Sequence, residues 1–440
     1  MYGSLVTAAD SIRTGPGESL RAAFRPRTGP PSTATVWRSV LWPVAILSII
    51  HRSVVLTLNG NITDDFKPVY RAALNFRQGV PIYNEHFDYV DPHYLYPPGG
   101  TLIMAPFGYL SFSTSRYLFI LVNTVAIILA AYLLLRLFNR TLASVAAPAL
   151  LLAMFCTESV TSTLVFTNVN GCILLLEVLF LRWLLDDSGT SGNRHQWWAG
   201  IAIGLALVVK PVLGPLLLLP LLNRQWRAVL AALVVPAVFN LAALPLVSDP
   251  GDFFTRTLPY ILGTRDYFNS SILGNGVYFG LPTWLILLLR ILFTLLAGGS
   301  LWLLARYYRT RDPRFWLLTS SGVVLLWSWL VLSLAQGYYS MMLFPFLMTV
   351  LLPNSVIRNW PAWLGVYGFL TMDKWWIFNR MYIGRPLDYL KITYGWSLLL
   401  IVTFSVLYFR YLDAKAENRL DKGIDPAWLT PLQPRASVSA

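Results

Sequence analysis

Charge is scarce in this chain of 440 residues: only 12% are Asp, Glu, Lys or Arg, about half the share of roughly 25% found in soluble domains. Cysteine is nearly absent, with Cys156 and Cys172 alone, too few for a secreted disulfide scaffold. The low polarity also excludes a disordered chain. What fills the sequence is apolar: 56% is hydrophobic, with 17 Trp, 22 Tyr and 24 Phe, and the mean hydropathy is +0.56. Apolar runs of about 20 residues recur, long enough to cross a hydrocarbon core of about 30 Å. The expected fold class is therefore an all-α polytopic membrane protein. Both cysteines lie in apolar segments and read as small buried residues rather than a disulfide or metal pair.

The net charge of +13 points to membrane topology rather than nucleic acid, because Lys and Arg gather in loops that share one side. Residues 1–36 are basic (Arg13, Arg21, Arg25 and Arg27) and lack a cleavable apolar core, so the first apolar segment, 37–57, reads as an uncleaved anchor with a cytoplasmic N-terminus. Further spans are expected near 116–137, 142–157, 161–184, 197–209, 211–222, 226–246, 283–306, 315–334, 338–353, 360–377 and 392–411. That makes twelve crossings. Residues 1–36 and the tail 412–440 then lie in the cytoplasm, flanking a transmembrane domain over 37–411. The basic positions Arg136, Arg140, Arg182, Arg194, Arg224, Arg227, Arg306 to Arg314, Arg358, Arg410 and Lys415 all fall on that side, and the loops 58–114 and 247–282 fall outside.

Three places break the pattern. The run Thr101–Leu110 is too short to span and reads as a re-entrant or interfacial helix. Segments 197–209 and 211–222 meet at Lys210-Pro211 as a broken hairpin, tolerated at membrane depth only beside protein or water. The loop 247–282 is rich in Asn, Gly and aromatics. No internal repeat is evident, which weighs against a transporter.

After the first span, Phe66, Val69, Tyr70 and Ala73 recur at helical spacing, Gly79 supplies a stop, and Thr63 or Asp64 can cap the start. Asp64 and Asp65 sit where free N–H groups favour an ionised carboxylate, so either can act as a general base or simply as a cap. Glu85, His86, Asp88, Asp91 and His93 match no tight ligand spacing, and no metal site is assigned; their interleaved aromatics suit sugar stacking or an interface belt. Tyr96-Pro97-Pro98 turns the chain back to the membrane.

Within the apolar segments, Lys210 needs an anionic partner or must snorkel to the headgroups. A lipid phosphate or pyrophosphate is its natural partner. Asn168 and Asn170 can hydrogen-bond a polar ligand or a neighbouring helix. Arg265 is a second phosphate candidate, and Tyr338 and Tyr339, after Gln336-Gly337, can line the same cavity. Glu177, Arg182 and Arg290 read as structural.

An acidic residue after span one, Tyr96-Pro-Pro, Asn168-Val-Asn-Gly and Lys210-Pro together resemble the polyprenyl-phosphate-sugar-dependent glycosyltransferases of the GT-C type. The branch that includes mycobacterial mannosyl- and arabinofuranosyltransferases is the most similar. That likeness runs from Met1-Tyr-Gly-Ser-Leu through Asn61-Ile-Thr-Asp-Asp-Phe to Gly423-Ile-Asp-Pro-Ala-Trp. The resemblance implies a decaprenyl-phosphoryl-arabinofuranose donor, an arabinan acceptor of arabinogalactan and lipoarabinomannan, an α-(1→3) product and inversion. It implies no cofactor beyond the lipid-linked donor, and a multi-pass protein of the plasma membrane with its site on the periplasmic face. It places the base on Asp65, followed by Phe66, with Asp64 as the alternative. Related mannosyltransferases carry a histidine where Gln336-Gly337-Tyr338 stands; that role is absent here or moved to His86 or His93. Two rival readings are a mannosyltransferase using polyprenyl-phospho-mannose and a transporter of lipid-linked saccharides.

Overall fold

The computed structural model describes residues 32–58, 64–90, 92–186 and 192–426. The expected N-terminal basic cluster, the Thr63 cap, Asp91 and the end of the tail lie outside the described residues.

The described chain is helical, as its apolar periodicity requires, and no strand occurs among the described residues. Long apolar helices are α1 (Thr33–Leu58), α4 (Phe112–Leu137), α9 (Trp226–Ala243), α10 (Thr283–Tyr307), α11 (Pro313–Val331) and α13 (Phe378–Ala416). Among the described residues these six are long and apolar enough to cross a bilayer. A seventh crossing results if α5 (Ala146–Phe155) and α6 (Glu158–Val165), bent by 60°, act as one broken span. The chain is thus a multi-pass membrane protein. The expected twelve crossings are not matched one for one, because several apolar stretches fold as short or interrupted helices. Residues 337–351 form 3₁₀ and α turns, and α12 (Trp360–Leu370) has only 11 residues.

α11 is the most enclosed of these helices, whereas α1 and α10 expose Leu, Ile, Val and Trp side chains outward, as lipid-facing helices do. Close helix approach rests on small residues. α8 (Gly192–Val209) meets α9 through Gly200 and Gly204, where a Cβ would lie 2.3 Å from Ala228 O and 2.8 Å from Val235 Cβ, the small-xxx-small arrangement of membrane helices.

The expected broken hairpin is present with different proportions. Its first arm is the 18-residue α8, and its second is a 3₁₀ turn, Pro211–Leu217, followed by Leu218–Leu222. The break still falls at Lys210. The run after Tyr96 folds as a short helix, α3 (Pro98–Met104), then a 3₁₀ turn to Tyr109. Cys156 departs from expectation: it terminates α5 at the 60° bend and is exposed there, while Cys172 is half-buried, and both are free.

Candidate active site

The helix after span one forms as its spacing indicates. α2 (Phe66–Gln78) turns Phe66, Val69, Ala72 and Ala73 inward, and it ends at Gly79 with φ +67°, a backbone region open to glycine at no steric cost. Its first turn separates the two aspartates. Asp64 is buried; its Oδ1 accepts the Phe66 N–H at 2.9 Å, and its Oδ2 accepts from Arg116 Nε at 2.9 Å. Arg116, at the start of α4, also donates to Thr57 O at 3.1 Å. Asp64 is thus held by a buried ion pair as well as by its cap.

Asp65 turns the other way. Its N–H is fixed to Phe166 O at 2.8 Å, and its Oδ2 stands 3.5 Å from Asn168 Nδ2. Burial lifts its carboxyl from an ordinary 3.8 to about 6, against the opposing pull of the Lys210 ammonium and the Asn168 hydrogen bond.

The Asn-Val-Asn-Gly stretch forms the entrance to α7 (Asn170–Leu185). Thr167, just before it, has φ +57°, a conformation unusual for a β-branched residue and typical of strain at functional sites. The turn is closed by Asn168 N–H to Thr163 O at 3.0 Å and Asn170 N–H to Asn168 Oδ1 at 3.1 Å. Gly171 lets α7 press on α4: a Cβ there would lie 2.6 Å from Asn123 O.

Lys210 reaches this turn because the following proline ends α8 and pushes its predecessor out of the helical region, here to φ −131°, ψ 85°. Its Nζ donates to Asn170 Oδ1 at 2.5 Å and lies 5.4 and 5.0 Å from the ring centres of Tyr338 and Tyr339. Among the described residues it forms no direct ion pair within 4.0 Å. The Asp65 charge also reaches the hydroxyls of Tyr96, Tyr338 and Tyr339, and Arg265 acts on the last two. Arg265 itself lies over the rings of Tyr260 and Tyr267, at 5.1 and 5.8 Å, with its Nε buried and without a partner.

The structure therefore brings together Asp65, Asn168, Asn170, Lys210, Tyr96, Tyr338 and Arg265. Glu85 and His93 instead brace their own loop: His93 Nδ1 meets Glu85 Oε2 at 3.0 Å, Tyr94 N–H donates to the same oxygen at 3.1 Å, and Phe87 stacks on Tyr260 at 4.2 Å. His86 lines a separate cavity. Among the described residues no three His, Cys, Asp or Glu side chains group as an ion site. Sequence reasoning missed Arg116 and Tyr260; an arginine one turn into an apolar helix was the signal that a buried acid must face it.

The site and the basic face lie at opposite ends of shared helices. α4 carries Arg116 near its start and Arg136 near its end, and α7 begins at Asn170 and carries Arg182 in its last turn. Arg136, Arg182, Arg311 and Arg314 line one cleft. Twenty residues of α4 rise about 30 Å, the thickness of a hydrocarbon core.

Residues 94–333 match the model of glycosyltransferase family 87, a stretch that includes Tyr96, Asn168, Asn170, Lys210 and Arg265. The chain belongs to glycosyltransferase family 87. It is also similar over nearly its whole length to proteins named α-(1→3)-arabinofuranosyltransferase. It is 80% identical over 431 residues to one from Mycobacterium tuberculosis, covering 98% of this chain and 99% of that protein. Identity is 68% over 429 residues to one from Mycolicibacterium smegmatis, covering 98% of each. A Corynebacterium glutamicum protein is 41% identical over 386 residues, 87% of this chain and 90% of its own.

Proposed function

We propose that this glycosyltransferase moves arabinofuranose from decaprenyl-phosphoryl-arabinofuranose to a linear arabinan acceptor of arabinogalactan and lipoarabinomannan, forming α-(1→3) branches. The names of its near-full-length relatives support the sugar and the linkage. The observation that carries the chemistry is the presence, in one cluster, of a half-buried carboxylate, Asp65, and a cation, Lys210, that forms no direct ion pair within 4.0 Å among the described residues.

The reaction is one inverting displacement. Asp65 removes the proton from the attacking acceptor hydroxyl as that oxygen bonds to the anomeric carbon; the bond from that carbon to the phosphate oxygen breaks, and its electron pair leaves with the lipid phosphate. Lys210, and Arg265, whose charge reaches the same Tyr338 and Tyr339, meet the growing negative charge, the kind of fixed electrostatics that supplies a large part of many rate enhancements. Asn168 orients the base, and Asn170 holds Lys210. Tyr96, Tyr338 and Tyr339 provide an apolar, aromatic wall for the donor. Because the phosphate is stable as it leaves, one carboxylate suffices, unlike the pair used in glycoside hydrolysis. The remote position of the basic cleft supports a site on the outer, periplasmic side of the plasma membrane.

The test is a membrane assay offering polyprenyl-phospho-arabinofuranose and a linear arabinan, followed by linkage analysis. Product carrying new α-(1→3) branches is the expected result. Transfer from polyprenyl-phospho-mannose instead of the arabinose donor would overturn the assigned sugar.

A further inference from the structure

The segment after α2 carries a second concavity that the displacement above does not use. Its volume is about 130 Å³, and its lining includes Arg71 and Asn75 of α2, Asn84 and His86 of the following loop, and Tyr94. Arg71, Asn84 and His86 are exposed and have no hydrogen-bond or ion-pair partner among the described residues. The loop that presents Asn84 and His86 is nevertheless braced. Asn75 Nδ2 donates to Pro81 O at 2.9 Å, Arg256 Nη2 donates to Glu85 O at 3.0 Å, and the Glu85 carboxylate binds His93 and the Tyr94 N–H. Exposed donors on a fixed frame are open to the hydroxyls of a ligand.

The cavity lies along the same helix face as the base. Asp65, Pro68, Ala72 and Asn75 follow at i, i+3, i+7 and i+10, and the last three line the cavity. Ten helical residues separate its far end from Asp65 by about 15 Å. Between them, the Tyr94 ring in the cavity wall lies 5.5 Å from the Tyr96 ring, whose hydroxyl feels the Asp65 charge. The lining suits a neutral polyol better than an anion: Arg71 shares the cavity with the Glu85 carboxylate, while amide, imidazole and phenol groups complete it.

We propose that this cavity is an acceptor subsite, holding one sugar unit of the arabinan chain a few units away from the hydroxyl that Asp65 activates. Arg71, Asn84 and His86 hydrogen-bond the hydroxyls of that unit, and the acceptor lies along α2 between the cavity and the base. The inference rests on the arabinan-acceptor reading above and adds to it a length preference that the reaction centre alone does not supply.

The experiment uses the full-length protein in membranes and measures kcat and KM for a linear arabinan disaccharide and a longer linear oligosaccharide, together with the donor KM. Two variants are compared with wild type: Arg71→Ala/His86→Ala together, and Asn84→Ala alone. The double variant should raise the KM of the longer acceptor about 10- to 100-fold, the effect of losing hydrogen bonds that include one from a charged donor, Arg71. Its kcat, its donor KM and its KM for the disaccharide should stay at wild-type values, and Asn84→Ala should move the longer acceptor in the same direction by less. Unchanged KM for both acceptors in an active protein overturns the subsite and leaves the enzyme reading standing. An equal rise for both lengths, accompanied by a changed donor KM, marks loop damage and also overturns it. If the double variant does not fold, Asn84→Ala decides: a rise confined to the longer acceptor supports the subsite, and no rise overturns it. A wild type that transfers arabinofuranose to neither acceptor removes the enzyme reading and the subsite together.

Discussion

The Lys210 ammonium donates to Asn170 Oδ1 at 2.5 Å, so a lysine that ends one helix is seated on an asparagine that begins another, 40 positions earlier. A neutral amide and two tyrosine rings fix the cation without cancelling it. Its charge remains directed at whatever enters the cluster, which in the proposed reaction is a phosphate.

Lys210→Met should therefore lower kcat by about 100- to 1,000-fold, the loss seen when one preorganised electrostatic partner is removed. It should also move the pH profile. As the proposed base Asp65 works deprotonated, and burial lifts its carboxyl to about 6 with Lys210 opposing, so wild-type kcat/KM should fall as pH drops below about 6. Without Lys210 the carboxyl rises, and that limb should shift to higher pH. A limb that stays in place would show that the two groups do not act on one another.

Asp64→Asn should be a stability variant. The amide leaves the Arg116 guanidinium buried without its counter-charge, and breaking such a pair costs about 3–5 kcal/mol, more than the roughly 1 kcal/mol of a lost cap. Thermal unfolding should show a lowered Tm, with near wild-type turnover in the protein that remains folded. Replacing both partners, Asp64→Asn with Arg116→Met, should recover part of the loss.

Much of this site is legible in the sequence, for physical reasons that differ by residue. α2 and its Gly79 stop follow from local periodicity, and the break at Lys210 follows from proline sterics, so both are visible without tertiary information. The pairing of Asp64 with Arg116 is not: it joins positions 52 apart, and sequence spacing alone left Asp64 and Asp65 equivalent in charge and cap potential. The ring of Tyr260 was hidden among 63 aromatic residues (17 Trp, 22 Tyr and 24 Phe), where a single ring carries no signal. Helix lengths failed where apolar runs have no caps; hydropathy cannot tell a crossing from the 3₁₀ turns of residues 337–351.

Gly171→Ala should damage activity from outside the reacting groups. The added methyl has no room beside Asn123 O, so α7 must shift from α4 and carry Asn168 and Asn170 with it. The expected cost is about 1–3 kcal/mol in stability, with kcat reduced more than tenfold. Gly214→Ala, where a Cβ meets nothing within 4 Å, is the control and should behave as wild type in the same turnover assay.

Arg265→Lys keeps the charge and removes the planar fork that lies over Tyr260 and Tyr267. Loss of two-point phosphate contact should raise the donor KM about tenfold while the acceptor KM is unchanged. Steady-state kinetics with the donor varied at saturating acceptor would read this directly.

The most direct test of the account is the initial rate of arabinofuranose transfer by Asp65→Asn, measured beside wild type with Tm and donor binding on the same samples. A general base that is lost should reduce transfer by about 100- to 10,000-fold, with Tm and donor binding retained, since the amide fills the same space and no ion pair is broken. Wild-type transfer by Asp65→Asn would contradict the assignment and move the base elsewhere in the cluster.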